Sequence, residues 1–515
     1  MAASLQTLFL VMFCLLSPLI VSGDHLETLN VPVLEFLGSV RSTTDTVRQV
    51  ISTVSNFRGK FIDFRLSNAI CDCINLLELS LDELNWTLSA SQNRDGKEKN
   101  SPENLIADMR AWLTGVLINL DTCAEGFDDT NSTIKNLVAN CLDQITELIK
   151  DILSVIPTSP NPVYKGGLSR GAGGGGGSSN RKKVRTKKRF PHWLKSNDRK
   201  LLQATNSAVA DMVVAADGTG NFTRIMDAIS AVPDYSTRRH VIYVKRGVYE
   251  EYVNVSTNKP NIMMIGDGMD VTVISGNRNY ADGWTTYSSA TFGVSGQGFI
   301  ARDMTFENTA GPLKSQAVAF LSNSECSVLY RCAIRGYQDT LFSHSLRQFY
   351  RECQITGTVD FIFGSGTSIF QKCQIIAREG IPSQQNAITA HGRANPDSSG
   401  FSIQYCYISA EPNVTNPTYL GRPWKKFSRT IIMESYLSDA IRPEGWLEWN
   451  GSMYLDTLFF AEYRNYGPGA DLGGRVKWHG YHIINDSAQV KQFTVAQFIS
   501  GDTWLPSTGV KYTDD

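Results

Sequence analysis

A short pattern, Cys-x-Ile, returns four times in the C-terminal half of this 515-residue chain: Cys332-Ala-Ile334, Cys353-Gln-Ile355, Cys373-Gln-Ile375 and Cys406-Tyr-Ile408. Met304-Thr-Phe306 is a degenerate copy upstream, and the first two steps between intact copies are 21 and 20 residues. A period of that length, with one short apolar strand per copy, predicts a parallel solenoid with one coil per repeat. Residues one period apart then stack on neighbouring coils about 4.8 Å apart. Asp339 and Asp360 are separated by 21 residues, Gln316 and Gln338 by 22. A carboxylate pair and an amide pair are therefore expected together on one face. Cys353 and Cys373 also fall on neighbouring coils, on either side of Asp360. That spacing lies inside the Cα range for a bridge, so a Cys353–Cys373 disulfide is expected.

The chain is too long for one core, and its character changes twice. Leu8 to Val21 is almost wholly apolar and is followed by the small residues Ser22 and Gly23, so residues 1–23 read as a secretory signal. A retained signal anchor is the alternative, because no basic residue precedes the run. Residues 24–160 read helical, with apolar residues at three- and four-residue steps in Asn75–Leu84, Leu105–Leu120 and Ile134–Leu153. An antiparallel helical bundle is expected there. Residues 161–202 hold 12 Lys and Arg against one acidic residue, with a Gly- and Ser-rich run from Gly171 to Ser179. This is a flexible linker open to processing proteases, and no aromatic residues interleave Arg181 to Arg189 to suggest a nucleic-acid reader. Residues 203–515 carry short β-rich runs broken by Gly and Asn, with one helix expected at Thr223–Val232 as a cap on the first coil. Seven Asn-x-Ser/Thr sites and the signal fit secretion.

Two carboxylates at about 5 Å cannot both ionise easily, so one keeps its proton. That one donates a proton while the other attacks as a nucleophile. Gln316 and Gln338 can hold a developing oxyanion. Arg422 can keep the attacking aspartate ionised through a bidentate pair. No Ser sits in a Gly-x-Ser-x-Gly turn near these residues, and no metal-ligand spacing is present, so neither a metal nor a cofactor is expected.

Gly247-Val-Tyr-Glu-Glu251, Gln316-Ala-Val-Ala-Phe320, Gly336-Tyr-Gln-Asp-Thr-Leu341, Gly357-Thr-Val-Asp-Phe-Ile-Phe-Gly364 and Leu420-Gly-Arg-Pro-Trp424 resemble plant pectin methylesterases. Leu66-Ser-Asn-Ala-Ile-Cys-Asp-Cys73 and Asp121-Thr-Cys123 resemble the inhibitor domain that often precedes them. The resemblance implies an all-α antiparallel bundle followed by an all-β right-handed parallel β-helix. It implies hydrolysis of the methyl esters of polygalacturonate at the cell wall, with Asp360 as nucleophile and Asp339 as acid and base. Gln316 and Gln338 would stabilise the oxyanion, Arg422 would position Asp360, and Thr286, Phe363, Trp424 and Trp446 would line the sugar cleft. The alternative for Phe363 and Trp446 is that they pack loops. The resemblance further implies a Cys73–Cys123 disulfide and a processing site at Arg199-Lys200-Leu201-Leu202. Its partners would be pectin, a processing protease and separate inhibitor proteins, with no nucleic acid, and the mature enzyme would be a monomer. The family's early cysteine pair is absent, and Cys71 and Cys141 stand as an additional pair available to each other.

Two rival readings share these residues. A glycosidase also uses paired carboxylates, but glycosidic cleavage needs no oxyanion donors. A non-enzymatic role would make the helical domain the working part and the solenoid a carbohydrate-binding scaffold.

Overall fold

The computed structural model describes residues 29–92, 102–130, 133–157 and 210–514. The signal, the linker and the Arg199–Leu202 site lie outside the described residues.

Four helices make up the first domain: α1 (Val33–Ser55), α2 (Phe64–Gln92), α3 (Pro102–Gly126) and α4 (Ile134–Val155). In α4 the buried residues Ile134, Val138, Leu142, Ile145, Ile149 and Ile152 recur at steps of three and four, one stripe of a 3.6-residue helix. In α1 Phe36, Val40, Thr43, Val47, Val50 and Val54 do the same. The Asp63 carboxylate caps α2 by accepting from the Leu66 amide at 3.0 Å. Cys73 and Cys123 form a disulfide tying α2 to α3, as the resemblance implied. Cys71 and Cys141 are both free thiols.

The second domain is a stack of coils. Its strands form three parallel sheets of eleven, eight and seven strands, and each coil adds one strand to each sheet in turn. One coil runs through Ser327–Tyr330 of the eleven-stranded sheet, Ala333–Arg335 of the eight-stranded sheet and Leu341–Ser343 of the seven-stranded sheet. The bend between the first two is made by a single residue in the left-handed region. Asp303, Arg331, Glu352, Lys372, Tyr405 and Glu434 take this role on successive coils, with φ between 50° and 58°.

The Cys-x-Ile copies enter the eight-stranded sheet in register. Ile334 pairs with Ile355, Ile355 with Ile375, and Ile375 with Ile408. Cys332, Cys353, Cys373 and Cys406 are buried, and all four are free thiols, so the expected Cys353–Cys373 bridge is not formed. In an in-register parallel ladder the side chains run side by side, whereas a disulfide needs the two sulfurs turned toward each other. Three of the thiols point instead at the coil before them: Cys353 to the Leu329 carbonyl at 3.3 Å, Cys373 to Tyr350 at 3.6 Å and Cys406 to Phe370 at 3.4 Å.

Residues Ile225–Ala231 form the expected capping helix, with Ile225, Ala228 and Ile229 in the β-helix core. Three short C-terminal helices lie beyond what the sequence signalled (Ser487–Val490, Val495–Phe498 and Gly501–Thr508). With the 3-10 turn Lys491–Phe493 they cover the outer face of the eleven-stranded sheet, where Phe493, Phe498 and Leu505 share one apolar cluster with Val328, Phe349 and Ile369. The bundle and the β-helix each have a core of their own.

Candidate active site

Strands of the seven-stranded sheet alternate inward and outward side chains. Leu341 and Ile362 point into the core, while Phe342 and Phe363 point out and stack at 4.2 Å. With Val318, Leu321 and Ala390 they form an apolar floor, and Trp424 packs at its margin. This floor lies beneath a cleft of about 410 Å³ between the β-helix and the bundle.

The polar residues reach the cleft from the bends that feed this sheet. Asp339 precedes Leu341–Ser343, and Asp360 holds the same place one coil later, ahead of Ile362–Gly364. Leu341 pairs with Ile362, so the 21-residue step is the register of the sheet. The Asp339 amide donates to the Val359 carbonyl at 3.0 Å, and the Ala317 amide to the Gln338 carbonyl at 3.2 Å, which fixes Gln316, Gln338, Asp339 and Asp360 on adjoining coils. Both aspartates have left-handed backbones, φ 61° and 52°. Such conformations cost of order 1 kcal/mol or more and are held by surrounding structure.

Arg422 follows strand Thr418–Gly421 and clamps Asp360 from two sides, Nε to Oδ1 at 2.7 Å and NH2 to Oδ2 at 2.6 Å. That fork fixes the carboxylate plane. Among the described residues Asp339 has no such cation of its own. Burial first, and the nearby Asp360 charge second, push its carboxyl well above the usual range, with Arg422 opposing. One carboxyl is thus poised to hold a proton beside one that is clamped by a guanidinium.

Thr286, Gln316, Gln338, Phe363 and Trp424 all line the cleft. Trp446 does not. It is 1% exposed, stacks on core residue Phe460 at 4.3 Å, and its indole N–H donates to Glu462 at 3.3 Å. Trp449 occupies the cleft wall instead, with the Arg422 guanidinium over its ring at 4.4 Å. The two tryptophans lie on one loop with no strand periodicity, so the sequence carried no signal for which one faces out.

The bundle closes the cleft. Phe64 packs edge-on against Trp284 at 5.0 Å, and Arg65 donates to the Tyr280 carbonyl at 2.7 Å. Asp72, 5% exposed, accepts hydrogen bonds from the hydroxyls of Thr285 and Ser288. Lys425 pairs with Asp121 and with Glu125, the latter at 2.6 Å. Thr122 Oγ1 lies 2.8 Å from His344 Nε2, and the Tyr280 hydroxyl donates to Asp129 at 2.5 Å. These contacts were not foreseen from the sequence, since each joins residues more than 150 positions apart.

A parallel β-helix with an aspartate pair, an arginine clamp and two amides on one open face defines a hydrolytic site. Residues 211–502 match the Pectinesterase family model and residues 27–155 the plant invertase/pectin methylesterase inhibitor model. A pectinesterase/pectinesterase inhibitor of Prunus persica is 56% identical over 95% of this chain and 91% of its own length. A probable pectinesterase/pectinesterase inhibitor of Arabidopsis thaliana is 51% identical over 95% and 92%. Among solved structures, pectin methylesterase from carrot is 45% identical, with a TM-score of 0.59, covering 60% of this chain and 99% of its own. The chain belongs to the pectinesterase family, with an inhibitor-type helical domain ahead of the catalytic one. The carrot chain, 99% covered by the 60% of this chain that it matches, is a solved structure with no counterpart for the rest of this chain.

Proposed function

We propose that this enzyme removes methyl groups from pectin by a two-step aspartate mechanism. The observation that carries the reading is the unequal pair: Asp339 buried, with its carboxyl pushed upward by that burial, and Asp360 held by the Arg422 fork. Asp360 attacks the C6 ester carbonyl of a galacturonate unit, and the amides of Gln316 and Gln338 stabilise the tetrahedral oxyanion. Asp339 gives its proton to the departing methoxide, so methanol leaves and an acyl–Asp360 anhydride remains. The Asp339 carboxylate then takes a proton from water, which attacks the anhydride. Asp360 is released, Asp339 is reprotonated, and the product is a galacturonate carboxylic acid that ionises in water. Thr286, Phe363, Trp424 and Trp449 hold the sugar chain, the aromatic rings meeting apolar sugar faces.

Residues 1–23 direct secretion, and cleavage behind Leu202 in Arg199-Lys200-Leu201-Leu202 separates the bundle from the β-helix, which acts at the cell wall. Until then the bundle holds the enzyme inactive, since it sits over the cleft at an effective concentration of about millimolar order. An Arg199→Ala, Lys200→Ala chain should remain uncut and release little methanol. A secreted, uncut and fully active chain would contradict this role.

The reading is tested by incubating the β-helix domain, released from the full chain, with methylated pectin. Methanol and acid should appear in equal amounts. New reducing ends or unsaturated products would favour a chain-cleaving enzyme instead.

A further inference from the structure

Gln338 and Asp339 share one bend, Gly336 to Thr340, and its carbonyls are gripped one after another. The Gln338 carbonyl accepts from the Ala317 amide at 3.2 Å, on the coil before. The Tyr337 carbonyl accepts from the Thr358 amide and from the Thr340 hydroxyl, both at 3.0 Å. The Gly336 carbonyl accepts from a side chain two coils further on, Arg378 Nη1, at 3.0 Å and 42 positions away in sequence. The bend depends on such grips. Asp339 has φ 61°, a conformation that persists only while its surroundings hold it.

Arg378 stands outside the cleft. It follows strand Gln374–Ala377 and lines a separate groove of about 630 Å³, which shares no lining residue with the cleft. Tyr337 lines that groove, while the next two residues, Gln338 and Asp339, line the cleft. Arg378 is itself held at both ends. Its amide donates to the Gly357 carbonyl at 2.8 Å, and its carbonyl accepts from Asn386 Nδ2 at 2.9 Å, a fully buried side chain. Its guanidinium lies over the Tyr337 ring, 4.3 Å from the centroid, with Nε 3.3 Å from Glu411 Oε1. One planar cation thus meets the bend at two adjoining residues, the Gly336 carbonyl and the Tyr337 ring.

The geometry points to Arg378 as a positioning residue for the reaction. From behind the cleft it holds the Gly336–Thr340 bend, so that the Gln338 amide and the Asp339 carboxyl meet the ester together. Arg422 clamps Asp360 directly; Arg378 serves the other half of the site through the main chain, and touches no substrate. Its effect on turnover rests on the roles proposed above for Gln338 and Asp339. Without the guanidinium the Gly336 carbonyl loses its donor and the Tyr337 ring its cover, and a displacement of about 1 Å in a reacting group costs up to ~10²-fold in rate.

The test measures kcat and KM for methanol release from methylated pectin by the β-helix domain, released from the full chain by cleavage between residues 157 and 210, with thermal melting of each variant. Arg378→Ala should lower kcat about ten- to a hundredfold with KM unchanged, since Arg378 does not line the cleft. Arg378→Lys keeps a donor and a charge but not the planar fork, and should recover part of that loss. In a Gln338→Ala background the Arg378→Ala loss should shrink several-fold, because one of the groups it places is gone. An unchanged kcat, a change in KM alone, or losses that multiply in full would overturn the positioning role. If Arg378→Ala does not fold, Arg378→Lys decides: a several-fold fall in kcat with KM unchanged supports the role, and wild-type kcat overturns it. A loss in Gln338→Ala without one in Arg378→Ala would remove Arg378 and leave the oxyanion reading standing. The converse would remove the oxyanion role of Gln338 and leave Arg378 acting through Asp339.

Discussion

Raising the pH should weaken the part of the bundle's hold on the β-helix that Asp72 supplies. Burial raises its carboxyl from 3.8 to about 6, against the opposing hydroxyls of Ser288 and Thr285. A group whose pKa is higher when docked takes up a proton on docking. Its contribution is full below 3.8 and is lost as the pH climbs through about 6. The whole displacement is worth ~3 kcal/mol, taking 3.8 for the undocked carboxyl. Between about pH 5 and pH 7.5 the part that titrates is ~1.4 kcal/mol, so Kd should rise about tenfold. Two further carboxyls at the contact act in the same sense. Burial also raises Glu125 and Asp108. Across from them burial works against the charge on Lys425 and on Arg347, but neighbouring carboxylates outweigh it and hold both above their ordinary values. His344, which faces Thr122 of the bundle, acts in the opposite sense: burial lowers it to about 3, so the share of that burial due to the bundle weakens docking at low pH, and comparison with Asp72→Asn isolates the Asp72 part. The assay cuts the full chain between residues 157 and 210, separates the halves and titrates one with the other at both pH values. Asp72→Asn should flatten the pH dependence by about tenfold and bind more tightly than wild type at the higher pH. Equal pH slopes for wild type and Asp72→Asn would refute the reasoning.

Other outcomes follow from the same geometry. Gln338→Ala should lower kcat roughly 10²–10³-fold with little change in KM, because its amide acts on the oxyanion; a change in KM alone would make it a binding residue. Arg422→Lys should stay inactive, since a point charge cannot replace the two-point fork on Asp360, and near-normal methanol release would contradict that role. Alkylation of the unfolded, unreduced protein followed by peptide mapping should find Cys353 and Cys373 as thiols and Cys73 linked to Cys123; a Cys353–Cys373 peptide would overturn the ladder.

The Cys-x-Ile repeat made the coil legible because its spacing equals the register of the eight-stranded sheet, Ala333 on Gln354 and Gln354 on Gln374. Asp339 and Asp360 came with it, since a residue fixed to a repeat is fixed in space. Side-chain direction was less legible. The spacing of Cys353 and Cys373 satisfied a distance, but a parallel ladder aims both thiols the same way. Trp446 and Trp449 sit off the repeat, and a buried acceptor, Glu462, held in turn by Arg475 at 2.7 Å, draws Trp446 inward. The C-terminal helices were missed because they are too short to show a period. The particular contacts that seat the bundle on the cleft were invisible for a different reason. They depend on complementarity between Asp72, Asp121 and Glu125 and their partners in another domain, which no local pattern encodes.

The central claim is that Asp360 is the nucleophile. The direct measurement is methanol release from methylated pectin by the released β-helix domain, wild type against Asp360→Asn, with thermal melting of both. An amide cannot attack the ester as a carboxylate does. The account predicts a loss of several decades in kcat with the melting transition nearly unchanged. Turnover above about one per cent of wild type in a folded Asp360→Asn domain would contradict it.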